Sequence, residues 1–467
     1  VGTASAEVML QIYLLAFYTE AVGLAPTLAG YALALAVLWD AVTDPIMGSI
    51  SDRTHSRFGR RRPYMIAGAL VLALGFGCLF APPAMATQGA KFAYLLVCYL
   101  VVNTGMTLLS VPHSALGGEM TFDRNERTEI FGWRFLFRNV GFLGGAVVPG
   151  LLYARASASN AEPLASLIAR QQAGLWIAAA IVVSTLVTWW AVRRVDVSLP
   201  RERPRPGRAL AELRGFFHGM ASVATNKVFA PLLLAYVVAQ IGRTINASLG
   251  LYFYKERLHL SEEQFSVQVL GLFIVVIVLS IGPWVWLSRR YGKKTPAFLG
   301  VIALGLLTTF TYPFLPIGQV WAPMLFASVL GGATIGSIIL FESLVADIVD
   351  YDELKSGQHR EGLYFGCWTM STKICRAIGL ATTGWLLEVV GYNPGAAQQA
   401  PGVDWRLALA FGPGVGVCFL IAGLIFLWMP LDRATHARVQ RLLSQRWALR
   451  ARRSGPAPTA ADPGDPA

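Results

Sequence analysis

Of 467 residues, 55% are hydrophobic and only 14% are charged, with a mean hydropathy of +0.52. Soluble chains carry about 25% charged residues, so a water-soluble globule is excluded and a polytopic membrane protein is expected. The net charge of +12 resides in Lys and Arg gathered into alternate loops, the pattern that sets membrane topology, and nucleic acid is not expected as a partner.

Apolar stretches of about 20 residues, long enough to cross a bilayer, recur along the chain. They lie at 3–22, 27–50, 63–84, 92–118, 128–153, 172–193, 228–254, 264–288, 296–314, 321–349, 363–388 and 404–430. Because the chain opens at Val1 rather than Met, already in an apolar run, the native N-terminus is expected to be trimmed. This predicts an all-α membrane protein of twelve transmembrane helices in two six-helix halves, over 1–194 and 228–430. An Arg- and Pro-rich cytoplasmic linker, 195–227, joins the halves, and 431–467 forms a cytoplasmic tail. The tail turns poor in hydrophobics beyond Arg450 and is expected to be largely disordered. Cys78, Cys98, Cys367, Cys375 and Cys418 lack metal-ligand spacing and read as packing residues.

Arg53, Arg57, Arg60, Arg61 and Arg62 follow the second stretch, arginines crowd the linker, and Arg289, Arg290, Lys293 and Lys294 follow the eighth. The intervening loops are sparse in basic residues, which places both termini in the cytoplasm. An internal repeat supports the two halves. Phe58-Gly59-Arg60-Arg61-Arg62-Pro63 and Tyr291-Gly292-Lys293-Lys294-Thr295-Pro296 occupy the equivalent loop of each.

Asp40 and Asp44 sit deep in the second stretch, one helical turn apart on one face, with Cβ atoms roughly 6 Å apart. Carboxylates are expensive in hydrocarbon and usually functional there. Small hard cations prefer oxygen ligands, and Thr43 and Thr107 supply hydroxyls. Pro45 leaves the carbonyl of Ala41 without its intrahelical donor. Two close carboxylates repel in low dielectric, so the pair is expected to hold Na⁺ or H⁺, with Asp40 and Asp44 the metal ligands if sodium is the ion. Counted at 1.5 Å per residue from the cytoplasmic ends, Asp40, Lys373 and Arg138 come out about 15 Å deep, and Asp44 and Arg134 about 9 Å. Equal depth permits a cluster of acids and bases, with Lys373 as charge partner. Arg243 lies beyond mid-depth, and Arg376, one turn from Lys373, has no assigned role. No nucleophile or metal motif accompanies the carboxylates, so neither an enzyme, a catalytic residue nor a cofactor beyond the coupling cation is expected.

Trp39-Asp40-Ala41-Val42-Thr43-Asp44-Pro45-Ile46-Met47-Gly48, followed by Asp52-Arg53 and Arg57 to Pro63, resembles the glycoside–pentoside–hexuronide:cation symporters of the major facilitator superfamily. Val111 to Glu119, Ala346 to Glu353 and Glu361 to Gly366 match the same pattern. The resemblance implies two parallel six-helix halves around a midplane site, alternating access, and a multi-pass protein of the bacterial inner membrane working as a monomer. It implies Asp40, Asp44, Thr43 and Thr107 as cation ligands, Lys373 beside them, and Arg134 holding the solute. Ala4 and Ser110 stand where the sugar-binding acids of melibiose permease would fall, while Trp39, Trp133, Tyr364 and Trp368 could stack on a pyranose or serve as ordinary packing. The expected partners are therefore the bilayer, a monovalent cation and a small solute, a glycoside or other carbohydrate. The alternative is a lysolipid, as in the related sodium-coupled animal branch.

Overall fold

The computed structural model describes residues 1–54, 56, 59–120, 124–158, 162–192, 209–358, 360–396, 398–430 and 433–453. Among the described residues the chain forms twelve long helical segments. The first, α1, runs Gly2–Ile12, resumes at Leu14–Ala16 and ends in a π-helical turn, Phe17–Ala21. It is followed by α2 (Pro26–Arg53), α3 (Arg62–Phe80), α4 (Gln88–Glu119), α5 (Arg124–Ser157) and α6 (Glu162–Ala191). The second half comprises α7 (Phe229–Arg257), α8 (Gln264–Tyr291), α9 (Lys294–Phe314), α10 (Trp321–Ser356), α11 (Glu361–Val389) and α12 (Val403–Leu427). Among the described residues, ten segments are long and apolar enough to cross a membrane on those grounds alone. The two others are α1, broken at Tyr13, and α11, whose middle carries Lys373 and Arg376.

Helix ends depart from the hydropathy reading where polar residues prolong a helix beyond its apolar stretch. Thus α10 continues past 349 to Ser356, and α5 begins at Arg124. Two further helices lie where none was expected. Ala209–Ala224 falls within the linker and packs on α11. Arg433–Arg453 occupies the first part of the segment expected to be largely disordered, held where the Arg433 guanidinium donates to the Arg290 carbonyl (2.7 Å) and where the helix packs on α10. Residues 193–208 and 454–467 lie outside the described residues.

The repeat is also visible in the backbone. Gly59 (φ +91°) and Gly292 (φ +82°) both take the positive-φ conformation that lets the chain reverse between α2 and α3 and between α8 and α9. The ends of α1 and α7 match in the same way. Phe17-Tyr18-Thr19-Glu20 and Phe253-Tyr254-Lys255-Glu256 each form a π turn, closed by Leu24 N–H to Tyr18 (2.9 Å) and Leu260 N–H to Tyr254 (3.0 Å).

α2 packs on α4 within its half and on α11 across to the other. Small residues allow that crossing, as they do between membrane helices generally. A Cβ on Gly384 would stand 2.3 Å from the Pro26 carbonyl oxygen, and one on Gly30 would stand 2.8 Å from that of Leu380. Gly384→Val is therefore expected to lower the melting temperature of the purified protein, at a cost of about 1–3 kcal/mol of overpacking. An unchanged melting curve would show that the helices part here without strain.

Between described residues, the side-chain bonds joining the halves fall in two places. One is the middle of α2 and α11. The other is the end of the bundle opposite the basic loops, where Lys255 pairs with Glu20 (3.2 Å), Tyr392 donates to Glu20 (3.0 Å), and Thr19 meets Tyr252 (2.6 Å). At that same end Arg170 of α6 pairs with Glu262, just before α8. The halves are thus drawn together at the end away from the basic loops.

Candidate cation and solute site

α2 runs unbroken through Pro45, which keeps Asp40 and Asp44 one turn apart on the side facing α4 and α11. Two polar contacts fix α2 against α4: Asn103 donates to the Ala36 carbonyl (2.9 Å), and the Trp39 indole donates to Thr104 (3.1 Å). One turn along α4 from Asn103, the Thr107 hydroxyl reaches Asp40 Oδ1 (2.7 Å) and Asp44 Oδ1 (2.8 Å). Thr43 stands 3.5 Å from the same hydroxyl. From the other half, Lys373 Nζ lies 2.8 Å from Asp40 Oδ2 and 3.3 Å from the Asp40 carbonyl, and it also pairs with Asp44 Oδ2.

The side chains of Asp40, Asp44 and Lys373 are 17%, 25% and 19% exposed, so water reaches the cluster without screening it fully. Two features of the chemistry follow. Two carboxylates share one ammonium, leaving a net negative charge. Thr107 has a single hydroxyl hydrogen to offer two carboxylate oxygens, so one of them lacks a donor unless a proton or metal cation joins the cluster.

Asp40, Asp44, Thr43, Thr107 and Lys373 therefore meet at one point. The residues expected at the solute are more scattered. Ser110 lies one turn beyond Thr107 on α4, and Arg134 donates to Ser114 of the same helix (2.7 Å). Trp133 is 61% exposed, and its ring contact is with Phe137 of its own helix. Tyr364 is wholly buried, accepts from Asn226 (2.9 Å) and sets its ring edge-on to Phe229. Trp368 stacks on Tyr236, ring centroids 3.7 Å apart. The last two aromatics are packed inside the second half, not gathered around the carboxylates.

The sequence reading missed Asn103, though a polar residue four before Thr107 on an otherwise apolar helix was the available signal. It also left Glu7 unplaced; its carboxylate lies 3.6 Å from Arg138 of α5. Among the described residues no cluster of three or more His, Cys, Asp or Glu side chains could hold a metal, so any metal cation here rests on a carboxylate pair and neutral oxygens.

Twelve membrane helices in two repeated halves, with charged residues where α2 meets α11, define a multi-pass transporter of the major facilitator type. Among solved structures, a bacterial homologue of the human drug peptide transporters PepT1 and PepT2 superposes with a TM-score of 0.62 at 14% identity, covering 94% of this chain and 96% of the other, a likeness of fold. Residues 1–433 match the family described as MFS/sugar transport protein, and the chain belongs to that family. Similar chains include the putative glycoside/cation symporter YagG of Escherichia coli, 28% identical over 96% of this chain and 93% of that one. The sodium-dependent lysophosphatidylcholine symporter 1-A of Danio rerio is 25% identical over 91% and 81%. Family and relatives are transporters, not enzymes.

Proposed function

We propose that this symporter couples entry of a small solute, a glycoside or other carbohydrate, to Na⁺ or H⁺, working as a monomer in a bacterial inner membrane. Asp40, Asp44, Thr43 and Thr107 hold the coupling cation. Arg134, Ser110, Trp133, Tyr364 and Trp368 serve the solute, the buried aromatics by shaping the wall behind it. The observation that carries this reading is the charge deficit at the cluster: two carboxylates, one ammonium and a hydroxyl with one hydrogen. Lys373 acts as an internal cation that keeps the pair neutralised in part while the coupling ion is away. Cation entry displaces it and biases the α2–α11 contact. By linkage, cation and solute then tighten each other's binding, with coupling of roughly 5- to 150-fold.

With the basic loops in the cytoplasm, the bonds among Glu20, Lys255, Arg170 and Glu262 close the outer end. The two halves rock about the central site to expose it to either side in turn. The lysolipid reading is kept as a second because a lysophosphatidylcholine symporter aligns over most of both chains.

The test is thermal stabilisation and vesicle counterflow with carbohydrates and lysolipids across Na⁺ concentration and pH. Stabilisation by a carbohydrate that strengthens with Na⁺ or with acid is the expected result; stabilisation indifferent to both removes the coupling. Lys373→Gln is expected to tighten cation binding by roughly tenfold, since it removes a competitor for the carboxylates at a partly solvated site. A weaker response in that variant would mean that Lys373 assists the cation instead of competing with it.

A further inference from the structure

One face of α1 differs from the rest of that helix. Over Gly2–Ile12 eight residues are buried, and the other three, Thr3, Glu7 and Gln11, fall at four-residue intervals on one side. A side turned to lipid would be apolar, whereas this one is polar throughout, as befits a wall of a water-filled path inside the bundle. The remaining sides of α1 are pinned. The Ser5 hydroxyl donates to the Gly141 carbonyl of α5 (2.8 Å), and a Cβ on Gly145 would stand 2.3 Å from the Ser5 carbonyl oxygen. A Cβ on Gly2 would stand 2.5 Å from Cα of Ile181 in α6. Ala4, only 4% exposed, is shut into the same contact against Gly141. While these contacts hold, α1 cannot turn its polar stripe away.

Within the stripe Glu7 carries the charge. It lies fifteen residues before Val22, and Asp40 lies fifteen after Ala25, so both sit about 22 Å from the turn that joins α1 to α2, at the level of the cation cluster. The Glu7 carboxylate is 3.6 Å from Arg138 of α5, beyond hydrogen-bond reach, with the two side chains 39% and 55% exposed. An ion pair so long and so open to water holds weakly. Among the described residues, neither Thr3 nor Gln11 has a side-chain hydrogen bond within 3.5 Å. A carboxylate and a guanidinium fixed on rigid helices, loosely joined, suit a pair of neighbouring hydroxyls. One hydroxyl donates to the carboxylate while the other accepts from the guanidinium.

We infer that Glu7, positioned opposite Arg138, is the acceptor that selects the solute by its hydroxyl groups, with Gln11 and Thr3 extending the polar wall to either side. The inference rests on the symport reading above and adds a specificity-determining residue to it. The solute enters between carboxylate and guanidinium, opening a pair that costs little to part, at the depth where the coupling cation binds.

The first test needs no solute. In a variant lacking the five native cysteines, Thr3→Cys, Glu7→Cys and Gln11→Cys are expected to react with a water-soluble methanethiosulfonate roughly tenfold faster than Ala6→Cys and Met9→Cys, whose native residues are wholly buried. Equal rates along α1 overturn the stripe as a wall of the path. The second test is thermal shift and counterflow with D-xylose, D-galactose, D-glucose and their methyl β-glycosides at fixed Na⁺, with lysophosphatidylcholine for contrast. At least one carbohydrate is expected to stabilise the wild type. Glu7→Gln, whose amide accepts through one uncharged oxygen, is expected to raise its half-saturation roughly 10- to 100-fold, with the maximal rate affected far less. Its melting temperature without solute is expected to stay at the wild-type value, and Glu7→Asp to fall between in half-saturation. Stabilisation by no carbohydrate, stabilisation by lysophosphatidylcholine alone, or an equal carbohydrate response in Glu7→Gln overturns the assignment. A carbohydrate response that survives in Glu7→Gln and still strengthens with Na⁺ or acid leaves coupled transport standing without Glu7 as its selector, so the two failures are told apart.

Discussion

Asp40→Asn is expected to abolish cation-driven accumulation of solute while leaving a folded protein. The variant keeps one carboxylate, Asp44, for Lys373, which makes a balanced pair, and it leaves Thr107 an ionised acceptor for its one hydrogen. Stability therefore should hold or rise. Cation binding should not. One carboxylate at about 4 Å contributes about 4 kcal/mol at an effective dielectric of 20, so affinity is expected to fall by up to roughly 1000-fold. Na⁺ titration by thermal shift, repeated across pH for the proton, reads this directly, and uptake into proteoliposomes reads its consequence. A cation response equal to wild type would remove Asp40 from the cation's ligands.

Glu262→Gln is expected to release the end of the bundle away from the basic loops. Arg170 is 2% exposed and Glu262 11%, and the Arg170 guanidinium lies over the Tyr13 ring, 4.4 Å from its centroid. Tyr13 is itself anchored by donating to the Ala146 carbonyl (2.6 Å). Removing one member of such a pair strands the other in low dielectric, at about 3–5 kcal/mol. Because Arg170 and Glu262 belong to different halves, that cost falls only on the state in which this end is shut. The population with it open should rise by roughly 100-fold or more. A cysteine at Ser266, which is fully buried against Gly150, gives the readout. Its labelling should accelerate at least tenfold in the variant, and equal labelling in both proteins would show that the bridge does not hold this end closed.

The sequence and the structure agree most closely where one helix decides the outcome. The spacing of Asp40 and Asp44 needs only helical geometry, and the matching depths of Asp40 and Lys373 follow from counting residues. Which helices become neighbours is not a local property, so the contact of Lys373 with that pair had to come from the assembled bundle. Tyr364 and Trp368 show the same limit from the other side. An aromatic on a membrane helix can face lipid, solute or protein, and apolar periodicity does not separate them; both pack into the second half against Phe229 and Tyr236. The helix Ala209–Ala224 was hidden by the Arg and Pro around it. The Phe-Tyr-x-Glu repeat at the ends of α1 and α7 was plain in the sequence but short enough to pass as chance until both copies formed the same π turn.

The glycine contact between α2 and α11 has a mechanical consequence. Gly30 is ten residues from Asp40, and Gly384 is eleven from Lys373, so the ion pair lies about 15–17 Å along two rods that touch at their glycines. Backbone lies against backbone there, with the Thr27 hydroxyl donating to the Gly384 carbonyl (3.4 Å), and that contact can serve as a fulcrum. A relative tilt of about 10° about that contact, with this end of the bundle shut, would carry Lys373 about 3 Å from the carboxylates, enough to break the bridge. Binding that pushes the ammonium off Asp40 and Asp44 is, by the same leverage, a torque on the whole half. In the proposed symport, the placement of small residues at one end of α2 and charged ones in its middle would turn an ångström-scale exchange of cations into an angular displacement.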